Sequence, residues 1–371
     1  MAAAEPPGRP RARPNCAVRC NIDSGRLHAQ APVPRFLHPA ARMTGDGTYD
    51  VAIVGGGPAG LSAAIFLARY LHSVVLIDSG DPRNWETRGV HGYLGLPDVT
   101  PAELRGRGRD EARRYGAVIV DGCVDTVERL GEERFRLRYR ELRVHTQPEG
   151  TRPDREDLVA HAAGAHSAEA RRVLLAIGLK DIWPDVPGLE HAYGETAHHC
   201  PDCDGYEARE CKTVVIASGS KAAGMAFDLA AWTRQLVICT NGVPADIDAA
   251  NLAKLDALNV PVLEDRIVRL VSRAGRVRQL ELAGGKCLDC ERIFFSIGCY
   301  PSDDLGAQLG CERDEDGLIV VRQGNRTSVP HVYAAGDIVP GSRLAITAAS
   351  DGAMAALAIH KSLVPDSCKV V

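Results

Sequence analysis

The sequence predicts an α/β chain built from two Rossmann-like nucleotide-binding units, one inserted into the other. Three observations predict it. An apolar strand, a glycine-rich turn, a helix and a second strand ending in Asp78 follow one another over residues 49–78. A second strand–turn–helix–strand unit opens at Thr213. Two apolar strands that end in glycine, residues 172–178 and 294–298, mark where the chain leaves the first unit and where it returns.

Composition sets the bounds. The 371 residues allow two or three domains at ~150 residues each. A hydrophobic content of 45% fills their cores, and a net charge of -4 carries neither the basic excess of a nucleic-acid binder nor an acidic tail. No apolar run reaches the ~18 residues of a membrane span. The twelve cysteines are spread through a long chain with full cores, unlike a short secreted disulfide scaffold. Cys123, Cys239, Cys299 and Cys311 stand singly in apolar segments and read as small buried hydrophobes. A reducing cytoplasm is the expected compartment, since no secretory apolar segment opens the chain.

Residues 1–47 are rich in Ala, Pro and Arg, with almost no acids and no apolar periodicity. Such a segment cannot bury enough apolar surface to order itself, so a disordered N-terminal extension is expected. An organelle transit peptide and a translation start at Met43 are the other readings. Cys16 and Cys20 within it have no second ligand pair for a metal.

The run Tyr49-Asp50-Val51-Ala52-Ile53-Val54 reads as a buried strand, followed by Gly55-Gly56-Gly57-Pro58-Ala59-Gly60 and a helix over 61–70. A strand over 73–77 then ends in Asp78. This is a complete dinucleotide fingerprint. Gly55 allows the tight turn, Gly57 lets backbone approach a pyrophosphate, and Gly60 lets helix and strand pack closely. The helix N-terminus offers N–H groups to phosphates, and Asp78 is placed for a ribose hydroxyl. A turn-rich loop with Asp81-Pro82-Arg83-Asn84 and His91-Gly92 follows, then a helix over 101–115 and alternating strands from Val118 to about Val173. A polar stretch over 147–157 interrupts those strands.

Past an extended linker with Pro184, Pro187 and Gly188 stands His198-His199-Cys200-Pro201-Asp202-Cys203-Asp204. Cysteines at this spacing can close a small, reducible ring suited to electron exchange. Zinc sites use the same spacing. The neighbouring histidines and Asp204 matter because only a thiolate attacks a disulfide and a departing thiolate takes a proton.

The second unit begins with a strand over 213–216 and the turn Ala217-Ser218-Gly219-Ser220-Lys221-Ala222, then a helix to about Thr233 and a strand over 236–238. Gly219, Ser220 and Ala222 are its candidate nicotinamide-dinucleotide contacts. The strand ends in Cys239-Thr240-Asn241, with neither an acid for a ribose hydroxyl nor an arginine for a 2′-phosphate. Two readings of that pocket stand: a working site, or a scaffold that has lost its ligand contacts. A meander over 263–295 turns at Gly284-Gly285 and carries Cys287 and Cys290, read as strand residues rather than half of a zinc ribbon. A strand ending in Gly336-Asp337 and a helix over 345–363 close the chain.

Over residues 48–363 the chain resembles the low-molecular-weight thioredoxin reductases and their relatives, which include dithiol oxidases. The Gly55 to Gly60 box, the Cys200-Pro201-Asp202-Cys203-Asp204-Gly205 box ahead of a second βαβ unit, and the Ala335-Gly336-Asp337 box carry the resemblance. It implies the three-layer ββα form of both units, with FAD in a discontinuous domain of residues 48–189 and 294–363. An NAD(P)H-type domain over 190–293 carries the reactive cysteines. Gly55, Gly57, Pro58, Ala59 and Gly60 then serve the pyrophosphate, Asp78 the adenosine ribose, and Gly336, Asp337 and Ala345 the rest of the flavin nucleotide. Cys203 faces the flavin, Cys200 exchanges with substrate, and Asp204 moves the proton. The resemblance also implies a homodimer.

Two places depart from the family. Cys239-Thr240-Asn241 stands where reductases carry a basic His-Arg-Arg run, and Arg343-Leu344-Ala345 stands where they carry Arg-Gln-Ala. The expected activity is transfer of electrons from NADPH through FAD and Cys200/Cys203 to a thioredoxin-like protein or a small disulfide. Two alternatives remain open here. One is a dithiol oxidase using FAD and oxygen. The other is a non-catalytic redox sensor or zinc-stabilised flavoprotein with His198, His199, Cys200, Cys203 and Cys211 as ligands.

Overall fold

The computed structural model describes residues 47–142 and 162–368, so the N-terminal extension and the polar stretch at 147–157 lie outside the described residues. Strand β1 (Tyr49–Val54) buries its last four residues, as a Val/Ile run does when both faces of a parallel sheet are covered. Helix α1 (Pro58–Arg69) starts three residues earlier than its apolar pattern suggests, because Pro58 lacks only an N–H that has no helical partner at the first position. Strand β2 (Val74–Asp78) is wholly buried and pairs parallel with β1. Helix α2 (Pro101–Arg114) is capped by Thr100, whose Oγ1 accepts from the Glu103 N–H at 3.2 Å.

Strands β3 (Val118–Gly131), β4 (Arg134–Leu142) and β5 (Ala162–Leu175) follow. The long strands β3 and β5 each change partner and direction of pairing within one six-stranded sheet. The start of β3 runs parallel to β2, and the rest of it runs antiparallel to β4. Likewise β5 runs antiparallel to β4 up to Ala170 and parallel to β1 from there on. Alternation along the strands separates the two faces. Val51, Ile53, Val74, Leu76 and Leu174 face α1 and the C-terminal helix. Ala52, Val54, Val75, Ile77 and Leu175 face Val127, Phe135 and Leu137 of the antiparallel layer. The result is three layers, helices on sheet on sheet.

The chain leaves this unit through β6 (Leu179–Ile182), then forms β7 (Ala197–His198) and the single-turn helix α3 (Pro201–Asp204). The second βαβ unit is β8 (Thr213–Ile216), α4 (Gly219–Leu229) and β9 (Leu236–Cys239). Helix α5 (Ala249–Ala257) and β10 (Val262–Leu263) extend it, and β11 (Ile267–Arg273), β12 (Arg276–Leu282) and β13 (Cys287–Asp289) form the meander. Strand β14 (Arg292–Phe295), which straddles the expected boundary at 294, belongs to the second, five-stranded sheet in the order β10-β9-β8-β14-β7. The return is made by β15 (Gly298–Pro301), antiparallel to β6, so both crossings run side by side as one ribbon. After the short helix α6 (Leu305–Gln308), β16 (Val332–Ala334) pairs parallel with β5, and α7 (Ala345–Leu363) packs on α1.

Helices α1 and α7 meet backbone to backbone. A Cβ on Gly352 of α7 would lie 2.0 Å from the Ala59 carbonyl oxygen, whereas a Cβ on Gly224 of α4 meets nothing within 4 Å. Helix propensity alone favours Gly→Ala by ~0.8–1.0 kcal/mol at an interior helical position. Gly224→Ala is therefore expected to raise stability by up to about 1 kcal/mol. Gly352→Ala reverses the sign, costing about 1–3 kcal/mol through overpacking. Urea unfolding followed by circular dichroism checks both.

Candidate active site

The floor of the main cleft is the turn between β1 and α1. Gly55 has φ +102°, and a Cβ there would lie 2.2 Å from the Ala176 carbonyl oxygen. A Cβ on Gly60 would lie 1.9 Å from the Gly55 carbonyl oxygen, while at Gly57 it would meet only open space. The turn is thus packed tight on both sides of one position where a ligand can reach backbone. No side chain caps the α1 N-terminus and no acid stands in its first turn, so its positive end is left for an anion.

Asp78 ends β2 and lines the cleft, and both its carboxylate oxygens accept hydrogen bonds from the protein. Its Oδ1 accepts from the Gly56 N–H at 3.0 Å and the Gly80 N–H at 3.2 Å. Its Oδ2 accepts from Arg105 at 2.5 Å and Arg109 at 2.9 Å. Burial pushes the carboxyl up, but Arg105, the Gly80 N–H and Arg109 outweigh it and hold the group below the usual carboxylate range. Both oxygens already have partners within the protein, and Arg105, with its guanidinium held against Asp78, lines the cleft beside it. The missed arginines lie on α2, and nothing in their spacing tells which acid they meet.

The opposite wall carries sulfur. Cys200 and Cys203 are joined by a disulfide, with Cα atoms 5.3 Å apart, across the single turn of α3. The Cys203 N–H donates to Cys200 Sγ at 3.1 Å. Both cysteines and Asp204 line the same cleft as Gly55, Gly57, Pro58, Ala59 and Asp78. Gly336, Asp337 and Ala345 complete it from β16 and α7. The empty space of the cleft, counted out into open solvent, is about 1180 Å³.

Arg83 knots three segments together at this cleft. Its guanidinium donates to both oxygens of Asp181 on β6, at 2.7 and 2.6 Å, and to Asp337 Oδ2 at 3.0 Å. Burial pushes the Asp181 carboxyl up, but Arg83 and His199 outweigh it, so the group stays below its usual range. His199 lies 3.8 Å from Asp181 and 2.7 Å from the Tyr193 hydroxyl. Burial lowers the His199 imidazole below its ordinary value despite Asp181, and burial raises the Tyr193 hydroxyl. Both are therefore neutral near pH 7, and the His199 tautomer sets which of the two donates to the other. On the other side of the disulfide, Asp204 is buried between His198 Nδ1 at 3.4 Å and His91 Nδ1 at 3.5 Å.

The second βαβ unit presents a separate, shallower site. Ser218, Gly219, Ser220 and Lys221 line it together with Asp246 and Asp248, while Ala222 is buried beneath. The Gly219 N–H already donates to the Ala245 carbonyl at 2.7 Å. At the end of β9 the Asn241 amide is engaged by the Asp185 carbonyl and the Ile267 N–H. Hydroxyl and ammonium donors for a phosphate are present, and two acids stand opposite them.

The other cysteines play a quieter part. Cys239 and Cys311 are buried as expected, whereas Cys123 and Cys299 are only half-buried. Cys299 Sγ accepts from Arg343 at 3.1 Å. Cys287 is an exposed residue of β13 and Cys290 is buried just beyond it, its thiol pushed up to about 12 by burial. Cys200 and Cys203 are bonded to each other, which is not the arrangement of a zinc pair. Among the described residues the grouping with metal-ligand spacing is His91, Asp204 and Glu207. None of the described helices is long and apolar enough to cross a membrane.

A family model described as Pyridine nucleotide-disulphide oxidoreductase matches residues 49–352. A probable thioredoxin reductase of Arthroderma benhamiae is 26% identical over 342 residues, covering 85% of this chain and 80% of the relative. The crystal structure of HlmI superposes with a TM-score of 0.75 at 34% identity, covering 86% of this chain and 93% of that one. A putative thioredoxin reductase TrxB from Bacillus anthracis does so with a TM-score of 0.74 at 26% identity, covering 85% and 98%. The family's description names a pyridine nucleotide and a disulphide. The main cleft fits FAD on its own observations: an uncapped helix end for phosphate, open space at Gly57, and a disulfide in the facing wall.

Asp78→Asn leaves Arg105 and Arg109 without their shared charge. It is expected to cost about 3–5 kcal/mol, the range for breaking a buried ion pair, and to weaken FAD binding in a fluorescence titration. The sign with pH is fixed by the lowered carboxyl. Its contribution is complete above the ordinary carboxylate value of ~4 and is lost as pH falls through the depressed one. Urea midpoints from pH 7 to pH 3 should therefore fall more steeply for the native chain than for Asp78→Asn.

Proposed function

The chain belongs to the pyridine nucleotide-disulphide oxidoreductase family, and from that premise we propose that it is an FAD-dependent thiol–disulfide oxidoreductase of thioredoxin reductase type. Electrons pass from NAD(P)H by way of FAD and the Cys200/Cys203 pair to a disulfide substrate. One observation carries the reading: the disulfide forms the wall of the cleft whose floor is the glycine turn.

The first-sheet unit is then the FAD domain and the second-sheet unit the NAD(P)H-type domain. Gly55, Gly57, Pro58, Ala59 and Gly60 hold the pyrophosphate. Asp78 acts on the adenosine side through Arg105, and Asp337, fixed by Arg83, serves the ribityl chain beside Gly336 and Ala345. When bound, FAD supplies two-electron chemistry that no side chain provides. The protein's own steps are thiol exchange. Cys200 thiolate attacks the substrate disulfide, forming a mixed disulfide and releasing one substrate thiolate. Cys203 then attacks Cys200, re-forming the Cys200–Cys203 bond and releasing the second thiolate. Asp204 gives the departing sulfur its proton. Curated relatives named thioredoxin reductase support a thioredoxin-like protein as substrate, with a small disulfide as the other class. Exposed free thiols at Cys287 and Cys368 suit a reducing cytoplasm. Phe66 of α1 and Met354 of α7, both exposed, suit a homodimer.

A second reading runs the same exchange backwards, as a dithiol oxidase delivering electrons to oxygen. Asp246 and Asp248 at the second site favour it, because they repel the phosphates of a nicotinamide dinucleotide.

Anaerobic mixing separates the readings. Bleaching of the yellow protein by NADPH supports the reductase, and bleaching by dithiothreitol but not NADPH supports the oxidase. A flavin that responds to neither, or a protein that refuses FAD, removes both. In either direction Cys203→Ser is expected to abolish thiol–flavin electron transfer, and Cys200→Ser to end turnover while keeping one thiol at the flavin. Visible spectra and steady-state rates check this.

A further inference from the structure

We propose that His91 is the outer half of the proton relay that serves the disulfide, passing protons between Asp204 and solvent. The inference rests on the thiol–disulfide reading above and assigns a residue that the reading does not use.

A carboxyl that gains and loses a proton in every turnover needs a path to water. Asp204 has 8% of its side chain exposed and so has little direct access. Two imidazoles stand against it. His198 is a dead end: its side chain is 7% exposed, and its Nε2 is buried with no hydrogen-bond partner. His91 leads outward. Its Nδ1 is 3.1 Å from the Cys203 carbonyl, 3.5 Å from Asp204 Oδ1 and 3.6 Å from Glu207 Oε2. Its Nε2 is 3.6 Å from Asp98 Oδ1, on a side chain that is 81% exposed. The ring therefore spans the wall, one nitrogen at the buried carboxyl and the other at the rim.

The charged groups facing His91 are Asp98 from its own loop, Asp204 and Glu207 from the segment around the disulfide, and His198 behind Asp204. Three carboxylates, those of Asp98, Asp204 and Glu207, thus lie within 3.6 Å of one imidazole. In the reducing direction the Asp204 carboxyl protonates a departing thiolate. His91 Nδ1–H then restores the proton to Asp204, and Nε2 takes one from water. In the oxidising direction each transfer reverses. No electron moves through the relay. The oxidation and reduction are those of the Cys200/Cys203 dithiol and the substrate disulfide. The carboxyl–imidazole distance is longer than a hydrogen bond, as is common before substrate closes a site.

His91 comes from the loop between β2 and α2, whereas Asp204 and Glu207 follow the disulfide. It touches neither sulfur atom and acts through Asp204, so the variants must separate proton passing from a purely structural contact with the Cys203 carbonyl. His91→Gln keeps an N–H donor for the Cys203 carbonyl but cannot relay. His91→Ala opens the space for added imidazole. The test uses the FAD-loaded full chain, mixed anaerobically with dithiothreitol in a stopped flow across pH 5.5–9. Both variants are expected to keep FAD and the disulfide and to bleach about 100-fold more slowly at pH 7, the lower end of the general acid–base range. The limb of the native pH profile that reports imidazole ionisation should disappear. Imidazole in the buffer should restore His91→Ala, with substituted imidazoles ranking by basicity. A His91→Gln protein with native rate and native pH profile overturns the relay and leaves the exchange reading intact. A native protein whose flavin never answers thiols overturns the exchange reading instead.

Discussion

The geometry of the cleft depends on one buried guanidinium. Arg83 stands between Asp181 on the outgoing crossing strand and Asp337 at the end of the last strand of the first sheet. Those two acids are 156 residues apart in the chain, 337 minus 181, and the arginine lies upstream of both. Burial works against the charge on Arg83, but the two carboxylates more than offset it. Such a knot contributes little net energy when complete and costs several kcal/mol when one member is removed. Its value is positional. It fixes β6, and with it the start of the segment that carries the disulfide, relative to the glycine turn.

Much of this was legible in the sequence, and the boundary is physical. The β1–α1–β2 fingerprint is local: strand, turn, helix and second strand are set by residues within 30 positions, so periodicity and glycine spacing reveal them. The closing helix, residues 345–363, is read from its apolar spacing to the residue. The double use of β3 and β5 was not legible, because nothing within a strand says that its two halves pair with different neighbours. Arg105, Arg83 and His91 stayed hidden for the same reason. Each lies in a segment whose own pattern is ordinary, and each acquires its meaning from a partner brought in by tertiary folding. Asp78 shows the converse. Its position at the end of β2 was readable, but the two arginines that bind its carboxylate were not.

The two βαβ units make an instructive contrast. Both bury a Val/Ile strand, begin a helix on small residues and leave its first turn free of acids. The scaffold requirements are therefore met twice. What differs is the loop that faces each helix start. In the first unit, open space meets Gly57. In the second, residues 245–248 fold back, take the Gly219 N–H and place Asp246 and Asp248 at the mouth. A strand–turn–helix pattern reports the backbone cradle. The charge that a ligand meets is decided by residues some 25 positions away, which the pattern does not contain.

Loop 79–100 deserves its place at the centre of the chemistry because it serves both sulfur atoms. Its Arg83 organises Asp181, and through it the neutral His199 beside Cys200. Its His91 reaches the Cys203 carbonyl and Asp204 on the far side. The disulfide ring itself is local to α3, closing between residues three apart. His198, His199 and Asp204 stand in the same segment as the ring, while Arg83 and His91 reach it from the other unit. Separating the two units would thus leave the ring with Asp204 and remove Arg83 and His91.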